Sequence, residues 1–494
     1  MRRAASCDGA VSLRWYPRRP DLSDRQSAVR QRDLCGELTI TVAAWSAASQ
    51  SVERRPGPFA ILPNVTDRSG PVDDDGTRSP LASEDELRAE RLAIDVAAHP
   101  TVVAEVAGVA MYWRERLSSR IGRLSSEDEA RLGPAVQELA FACAQLAANS
   151  DPTRPAVTWV EAPPHTWFNT TVPGGRYAAD NPDTIYRQVP IDGRSAYRLE
   201  GRFVGGRPAS SVYQAVADPL VPSPVPGGQI NGADLVVDPD GTFAITVGPD
   251  PPEGRVNHLT TSGSAAQLFL RDTLADWAAQ ATPELAVRRV SGPTLAEPAT
   301  LDDLVAKAVH DLRAAGRQWI DFYILGILFE PPANVAPPPV HGAGIYRSSG
   351  HFHLAADEAL LVTVHPAGAA YVSVVLYDVW SVSVSYWSRQ TSLTGAQAVV
   401  GRDGTYTFVV SAAETGVHNW LDTTGLERGT FLVRWQDAPF DREPGPSVTS
   451  RVVRVEDIAA ALPPGTTYVD AEKRSQQRQD RQRAFTRRIA TGAT

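Results

Sequence analysis

The stretch DGTFAITV, residues 240–247, alternates apolar and polar side chains directly after an Asp-Gly pair. Asp-Gly favours a hairpin turn because glycine accepts a positive φ, and the alternation is typical of a half-buried strand. The stretch DGTY at residues 403–406 begins in the same way, and its Gly404 lies 163 residues after Gly241. Two related strands in the two halves of the chain therefore predict a repeated β unit.

Three further matches occur in the same order along the chain. Tyr213 in a Ser/Val-rich stretch aligns with Leu376, again 163 residues later. The stretch VNHL at 256–259 resembles VHNWL at 417–421, and QLFLR at 267–271 resembles TFLVR at 430–434. Ordered matches at a nearly constant offset indicate an internal repeat. We predict two tandem antiparallel β-sandwich modules.

The predicted fold class is α+β and mainly β, with two jelly-roll-like sandwich modules, an N-terminal helical segment and a long helix between the modules. The segments are residues 1–80, disordered or an over-extended start; 81–152, helical; 153–297, the first module with a helix at 264–279; 298–344, a helix and a Pro/Gly linker; 345–440, the second module; and 441–494, a tail with an Arg/Gln-rich helix.

Helix-start signals support the helical segments. Ser83 followed three residues later by Glu86 matches a capping box, and SSED at 125–128 opens another predicted helix. Apolar residues recur at helical spacing through 300–328, and Pro331 ends that run. Six arginines between Arg474 and Arg488 stand beside glutamines, which predicts a solvated helix face there.

Composition excludes several classes of protein. A formal net charge of −9 argues against a nucleic-acid-binding chain, and no run approaches the apolar length of a membrane span. The three cysteines, Cys7, Cys35 and Cys143, have no metal-type or disulfide-framework spacing. Cytoplasmic location is the default expectation, with export as a minor alternative because LTITVAAWSAA at 38–48 has the length of a signal-peptide core.

Four long stretches resemble a bacterial family, the domain-of-unknown-function family numbered 1214. They are DNPDTIYRQVPIDGRSAYRLEGR at 180–202, DEALLVTVHPAGAAYVSVVLYDVW at 357–380, YWSRQTSLTG at 386–395 and GVHNWLDTTG at 416–425. The resemblance implies a jelly-roll sandwich with flanking helices and no assigned activity. From the same resemblance we expect no module of the family numbered 1254, which often precedes this family, and Thr394 stands where the family has Asn.

The first candidate site surrounds the motif DNPDTIY at 180–186. A His/Asp/Tyr set near tryptophan suits acid–base chemistry or sugar binding, so His165, Asp183 and Tyr186 are the candidate catalytic residues. Polar and aromatic neighbours complete a candidate ligand site: Trp167, Asn169, Tyr177 and Asn181. The alternative is a turn in which the Asx side chains bond their own backbone.

The second candidate site is the motif GVHNWLDTT at 416–424, with Arg389 as a cation that would pair with a ligand carboxylate or with Asp422. Its candidate ligand-binding residues are Arg389, His418, Asn419, Trp420 and Asp422. The alternative is structural, with Asn419 and Asp422 capping turns and Trp420 packed in the sandwich core.

The third candidate is a metal site. His351 and His353 share one face of a predicted strand, and Glu358 follows, a pattern that resembles the first cupin motif. The second cupin motif is missing, so we predict no cofactor and keep a divalent metal as the alternative.

These observations predict a protein that binds a small polar or sugar-like molecule between two β modules, with hydrolysis as one activity that the first site could support. The expected partner is this small molecule, with neither nucleic acid nor membrane. A cupin-like metal enzyme and a non-catalytic scaffold or assembly subunit are the alternatives, and the sequence gives no oligomeric state.

Overall fold

A computed structural model of the chain describes residues 78–220, 227–295, 297–342, 345–439 and 443–491. The predicted disorder of residues 1–80 lies outside this range except at its last three positions. The described helices are α1 (Glu84–Ala98), α2 (Pro100–Ile121), α3 (Ser126–Ala148), α4 (Leu301–Gln318), which continues as a π-helix (Trp319–Leu328), α5 (Ile458–Ala461) and α6 (Ala471–Arg488).

Helices α1 to α4 form one packed layer, although more than 150 residues separate α3 from α4. Full capping boxes start α3, at Ser125 and Asp128, and α4, at Thr300 and Asp303. The apolar face of α4 packs against α2. Trp113 Nε1 on α2 donates to the Gly316 carbonyl on α4 at 2.7 Å. The predicted inter-module helix is therefore part of a helical layer.

The first module contains strands β1 to β11. They are β1 (Thr158–Val160), β2 (His165–Trp167), β3 (Thr170–Val172), β4 (Thr184–Pro190), β5 (Ala196–Arg202), β6 (Ser210–Val216), β7 (Gln229–Asn231), β8 (Thr242–Gly248), β9 (His258–Thr260), β10 (Gln267–Thr273) and β11 (Glu284–Ser291). Five strands form a sheet in the order β1-β4-β10-β6-β7, four form a sheet in the order β11-β5-β8-β9, and β2 and β3 form a hairpin. The two larger sheets enclose one apolar core.

The second module contains strands β12 to β20. They are β12 (Val340–Gly342), β13 (Ile345–His353), β14 (Glu358–His365), β15 (Tyr371–Tyr377), β16 (Ser392–Thr394), β17 (Tyr406–Ser411), β18 (Trp420–Asp422), β19 (Arg428–Gln436) and β20 (Ser447–Arg454). The sheet orders are β12-β13-β19-β15-β16 and β18-β17-β14-β20, which match those of the first module strand for strand. Each module even contains one parallel pair at the same place, β8 with β9 and β17 with β18.

The strand register supports the repeat and corrects one of its anchors. Arg271 on β10 is opposite Val212, and Arg434 on β19 is opposite Ser373, so the two arginines hold equivalent positions. By the same register Tyr213 corresponds to Val374, two residues before the Leu376 that the sequence suggested. A shift of two residues preserves the face of the strand, which is why the apolar match was misleading.

The Asp-Gly turns are conformational copies of each other. Gly241 has φ 85° and Gly404 has φ 78°, in the left-handed region that favours glycine. The Asp240 carboxylate accepts from the Thr242 backbone N–H and hydroxyl at 3.1 and 2.7 Å, and a corresponding pair of bonds follows Gly404. A turn is therefore present at both positions, but the predicted hairpin is wrong, because β8 pairs with β5 and β9 and β17 pairs with β14 and β18, and neither pairs with the strand that precedes its turn.

The predicted helix at 264–279 is wrong, because residues 267–273 form β10, the central strand of the first sheet. Leu268 and Leu270 alternate into the core as a strand requires, and β4 and β6 pair with β10 on either side. The leucines and the tryptophan that follow were compatible with helical spacing. Pairing on both edges overrides that local pattern.

The prediction of a tail at 441–494 is also wrong. Strand β20 pairs with β14 and completes the second module, which therefore extends to residue 454. Helix α6 packs against the body through Phe485, which is fully buried, and through Arg474, Arg481 and Arg488, which are at most 8% exposed. The predicted solvated face holds only part of the arginine cluster, because the three arginines spaced seven residues apart lie on the inner side of the helix.

The two modules touch directly through the outer face of each five-stranded sheet. The Tyr371 hydroxyl on β15 donates to the Asp183 carboxylate just before β4, at 2.7 Å. The Thr394 hydroxyl on β16 donates to the Ala275 carbonyl just after β10, at 2.6 Å. These contacts leave a cleft between the two outer faces.

Candidate functional site

The inter-module cleft has a volume of about 60 Å³ and is lined by both modules. Its lining residues are Asn181, Thr184, Tyr186, Ser210, Val212, Gln229, Asn231, Arg271, Thr273, Ile345, Arg434, Gln436 and Asp437. Those on β4, β6 and β10 are alternate residues, so they share the outer face of one sheet, and cross-strand pairing sets them in rows. Amides, hydroxyls and guanidinium groups dominate the lining.

Arg271 lies in the middle of the first-module wall, between Tyr186 and Val212 on the neighbouring strands. Its Nη2 donates weakly to Gln214 Oε1 at 3.3 Å, whereas its buried Nε has no hydrogen-bond partner. Burial lowers the pKa of Arg271. Among the described residues no carboxylate lies within ion-pair distance of this guanidinium, so its charge is left without direct compensation.

Arg434 contributes the equivalent position of the second module. Its guanidinium donates to the Tyr377 hydroxyl at 2.8 Å and to the Ala179 carbonyl at 2.6 Å. The side chain is 6% exposed, and no described carboxylate forms an ion pair with it. Both of its partners are neutral, so the cleft has a fixed positive charge on each side.

Tyr186 and Glu161 are the titratable groups with shifted pKa values near the two cleft arginines, and of these Glu161 is the one that titrates near neutral pH. The Tyr186 ring stacks on Phe269 with centroids 5.7 Å apart, and burial followed by the Glu161 charge raises its pKa. Burial, with a contribution from the Asp180 charge, raises the pKa of Glu161 to about 8, although a Tyr177 hydrogen bond and the Arg271 charge lower it. Glu161 is thus mainly protonated at neutral pH.

His165 lies elsewhere, in an aromatic layer against α1. Its ring stands 5.1 Å from that of Trp159 and 5.0 Å from that of Trp167, its Nδ1 bonds the Pro163 carbonyl, and its Nε2 is 3.6 Å from Glu90 Oε1. Trp167 Nε1 donates to the same carboxylate at 2.7 Å. Both predicted site residues are therefore bound to the helical layer and do not reach the cleft.

Glu86 explains part of this arrangement and corrects the predicted capping box. Ser83 caps α1 as expected, but the Glu86 carboxylate accepts from the Trp159 backbone N–H at 2.7 Å. Burial raises the pKa of Glu86 well above its ordinary value, and the Glu90 charge adds to the rise. The strand that enters the first module thus takes the carboxylate that the local motif assigned to the helix end.

Asp183 is fully buried beneath the cleft. Its carboxylate accepts from Trp277 Nε1 at 2.8 Å and from the Tyr371 hydroxyl at 2.7 Å. Burial raises its pKa, while the Tyr371 hydrogen bond and the charge of Arg481 lower it. Asp183 joins the two modules, and the proposed catalytic set is corrected: His165, Asp183 and Tyr186 share no partner and do not form one site.

The remaining residues of the first candidate site divide between turn and cleft. Asn181 Oδ1 accepts from the Asp183 backbone N–H at 3.2 Å, the Asx turn of the structural alternative, yet Asn181 also lines the cleft. Asn169 is exposed, with φ 58°, at the β2–β3 hairpin turn. Tyr177 is buried against Trp319, with ring centroids 5.7 Å apart, and bonds Glu161.

The second candidate site is held by internal bonds. Arg389 pairs with Asp422 at 2.7 Å, which is one of its two predicted partners, and Trp420 is buried with its Nε1 donating to the Ser411 hydroxyl at 3.0 Å. His418 bonds the neighbouring Asn419 side chain, and burial lowers its pKa.

Asn419 and Asn257, the equivalent residue of the first module, make the same hydrogen bonds to backbone groups. Asn419 bonds the backbone N–H and carbonyl of Val399 at 2.8 Å each, and Asn257 bonds those of Val236 at 2.9 and 2.7 Å. A residue that makes the same backbone bonds in both modules supports the repeated fold. The structural alternative therefore accounts for Asn419.

The three candidate metal ligands point to different partners. His351 Nδ1 bonds the Leu328 carbonyl at 3.1 Å and its ring stacks on Phe329, while Glu358 Oε2 accepts from the Ala355 backbone N–H. His353 is exposed. Within the part of the chain that the structure describes, no group of three or more His, Cys, Asp or Glu side chains is arranged to hold a metal ion. The convergence that this alternative requires is absent there.

Sequence reasoning missed Arg271, Arg434 and Glu161. The two arginines were visible as the final residues of the aligned stretches QLFLR and TFLVR. The sequence did not mark them as site residues, because both lie on the outer face of a strand, where an arginine is usually solvated. Glu161 has no sequence signal, since its environment comes from residues distant in the chain.

No described helix is by itself long and apolar enough to cross a bilayer; α1 and α2 meet that criterion only jointly, by length and composition, across a 70° bend.

Comparison with known proteins gives similarity of fold without an activity. No protein-family model matches the chain, and no curated protein matches it either. An uncharacterized protein from Burkholderia cenocepacia, known from a crystal structure, is 22% identical, with a TM-score of 0.60 over 75% of this chain and 100% of its own. A Vibrio parahaemolyticus protein is 11% identical, with a TM-score of 0.35 over 55% of this chain and 89% of its own. The Burkholderia protein shares the fold of this chain.

Proposed function

We propose that the protein binds a small polar molecule in the cleft between its two β modules. The observation that carries the proposal is the lining: hydroxyl, amide and guanidinium groups from both modules converge on one concave space. A few convergent polar groups in a cleft are the usual mark of a small-molecule site. Neither module alone would form this space, so the proposed binding needs both modules.

Acid–base chemistry in this proposal requires a different set of residues than the sequence predicted, and only Tyr186 belongs to both sets. His165 and Asp183 are bound inside the protein, whereas Tyr186 lines the cleft and Glu161 interacts electrostatically with both cleft arginines. A carboxyl group with a pKa near neutrality is suited to donate or accept a proton. In this proposal Glu161 serves any hydrolysis or rearrangement of the bound molecule, and Tyr186 orients that molecule.

Membership of the family numbered 1214, jelly-roll connectivity and a cytoplasmic location belong to the same proposal. The first two are supported by the long ordered motifs of the sequence and by two facing sheets in each module. The location is supported by the absence of a disulfide framework among the three cysteines, of which Cys143 is buried and free.

A thermal-shift screen of the intact chain tests the proposal. The probes are glycerol, erythritol, glucose, glucuronate and malate, because a ligand that binds only the native state raises the melting temperature. At 100 times its dissociation constant such a ligand adds about 2.7 kcal/mol of stability. The expected result is a shift with at least one probe.

A matched pair of tyrosine variants locates the binding. Tyr186→Phe removes the cleft hydroxyl, whereas Tyr406→Phe removes a partly buried hydroxyl in the second module, outside the cleft lining. The first variant is expected to reduce the shift and the second to leave it unchanged. An absence of any shift, or an equal loss in both variants, would favour the scaffold alternative.

A further inference from the structure

We infer that the cleft binds an oxyanion, the carboxylate of a small hydroxy acid, held between Arg271 and Arg434. The inference rests on the proposed function and names its ligand class. The two arginines occupy equivalent positions of the repeat and line the cleft from opposite modules. Arginine is suited to carboxylates because its planar fork of N–H donors matches their two oxygens.

The charge balance of the cleft favours an anion. Elsewhere in the described part of the chain, the buried Arg176 and Arg187 pair with Glu138 and Asp272 at 2.5 and 2.6 Å. The buried Arg481 and Arg488 form no ion pair there, but they bond carbonyl or hydroxyl oxygens and lie against the Trp277 ring. Arg271 and Arg434 have no such pair among the described residues, and the buried Nε of Arg271 has no hydrogen-bond partner. A cleft-facing guanidinium with one long hydrogen bond and no ion pair has free N–H donors, whose hydrogen bonds an external anion would accept.

The acidic groups near the cleft do not take that place. Asp437 lines the cleft but is exposed at its rim and makes no ion pair with either arginine. Glu161 is buried enough to remain mainly protonated at neutral pH. The cleft therefore has a net positive charge at neutral pH.

A row of hydroxyl groups runs beside the cationic row. Thr184, Thr273 and Ser210 are opposite one another on three neighbouring strands, two residues along from Tyr186 and Arg271. Thr184 and Thr273 already share a hydrogen bond of 2.8 Å, and Asn181 Nδ2 donates to Thr184. Hydroxyls both donate and accept, so this row fits a ligand hydroxyl adjacent to a carboxylate.

The size of the cleft limits the part of the ligand that it encloses. At roughly 15 Å³ for each water-sized group, a cleft of about 60 Å³ holds about four such groups. A carboxylate with part of its neighbouring hydroxylated carbon fills this space, so any larger ligand would extend beyond it. The cleft thus encloses the hydroxylated carboxylate end of the inferred ligand.

Calorimetric titration and thermal shift on the full chain test the inference with matched probes. L-lactate is compared with propane-1,2-diol, which replaces the carboxylate by an alcohol, and NaCl equalises the ionic strength. Inorganic phosphate and glucose complete the set. Lactate is expected to bind and to raise the melting temperature, while the diol and glucose do not.

Variants assign the binding to the arginines. Arg271→Gln is expected to weaken lactate binding at least about tenfold, and Arg271→Lys less, because lysine keeps the charge but loses the fork. Arg288→Gln, on the exposed outer strand β11, is the control and leaves binding unchanged. The unliganded melting temperature of each variant shows whether it folds, and Arg434→Lys provides a second test from the other module.

Three other outcomes would each contradict either the anion inference, its carboxylate assignment, or the proposed function. If the diol or glucose binds as well as lactate and Arg271→Gln has no effect, the anion inference fails and the proposed function stands. If phosphate binds and lactate does not, the carboxylate assignment fails. If none of the probes in either screen binds, both the inference and the proposed function fail.

Discussion

The two modules share one topology but differ in what covers the outer face of the five-stranded sheet. In the second module β15 is buried along its whole length, and Val375 and Leu432 join the apolar core of the helical layer. In the first module the equivalent positions are Gln214 and Phe269, the latter partly exposed beside the cleft. One copy of the repeat is therefore used to build the core and the other to present polar groups.

This comparison shows how a duplicated fold can separate stability from binding. Topology and turns are retained in both copies, while the outer-face side chains differ according to their environment. Arg271 and Arg434 are the exception, since both copies keep an arginine at the place where the two faces meet. A position that stays polar in both environments is a candidate for function.

The largest expected effect concerns the covered face. Leu432→Ala removes a side chain that is 2% exposed and packed against the helices, so the free energy of unfolding should fall by about 2 to 5 kcal/mol. The equivalent Phe269→Ala should cost only about 1 to 2 kcal/mol, because its ring is partly exposed. Urea unfolding measures both, and equal losses would contradict the difference between the modules.

A second expected effect concerns helix α6, which covers the junction of the modules. Arg481 donates to the Tyr386 carbonyl and the Ser392 hydroxyl, and its guanidinium lies 4.4 Å from the Trp277 ring centroid. Arg481→Ala should therefore cost about 2 to 4 kcal/mol, whereas Arg478→Ala on the exposed side should stay within about 0.5 kcal/mol. Similar unfolding midpoints for the two variants would mean that Arg481 is as solvated as Arg478, as the sequence predicted.

The third expected effect appears only at high pH and concerns the difference between two carboxyl groups. Glu161 has a folded pKa of about 8 against an ordinary 4.5, so the stability it contributes is present below pH 4.5 and lost as the pH rises through 8. Glu161→Gln should remove this loss, and its melting temperature should exceed that of the wild type at about pH 9 but not at about pH 5.

Asp240 should behave in the opposite sense and serves as the control. Hydrogen bonds from Thr242 lower its pKa below the ordinary 3.8, so its contribution is present above that value and lost as the pH falls through the folded pKa. The melting temperature of Asp240→Asn should therefore fall below that of the wild type at neutral and alkaline pH, and the difference should shrink as the pH falls below 3.8. If Glu161→Gln follows the wild type at every pH, the raised pKa of Glu161 is refuted.

Sequence reasoning reached the repeat because its anchors are local. The Asp-Gly turns, the alternating strands and the caps of α3 and α4 depend on residues within a few positions of one another. It failed at 264–279 and at the C-terminal helix for one reason. Leucines and arginines at those positions fit more than one local structure, and distant strands and side chains select between them.

Two of the predicted site residues line the cleft, and the others lie elsewhere. A polar cleft between the modules was expected, and Asn181 and Tyr186 do line it. His165 and Asp183 proved to be bound to Glu90 and to Tyr371, partners 75 and 188 residues away. No spacing rule reveals such pairs, because each forms only when separate segments pack together.

The amino-acid sequence by itself determined the duplicated β unit, its turns and the starts of its helices. Short-range periodicity and backbone preferences fix these features. The tertiary structure alone decided which outer face is covered, which carboxyl groups are buried and that two equivalent arginines meet across a cleft. Burial and charge depend on the whole surroundings of a side chain, and long-range packing of the helices and both modules sets those surroundings.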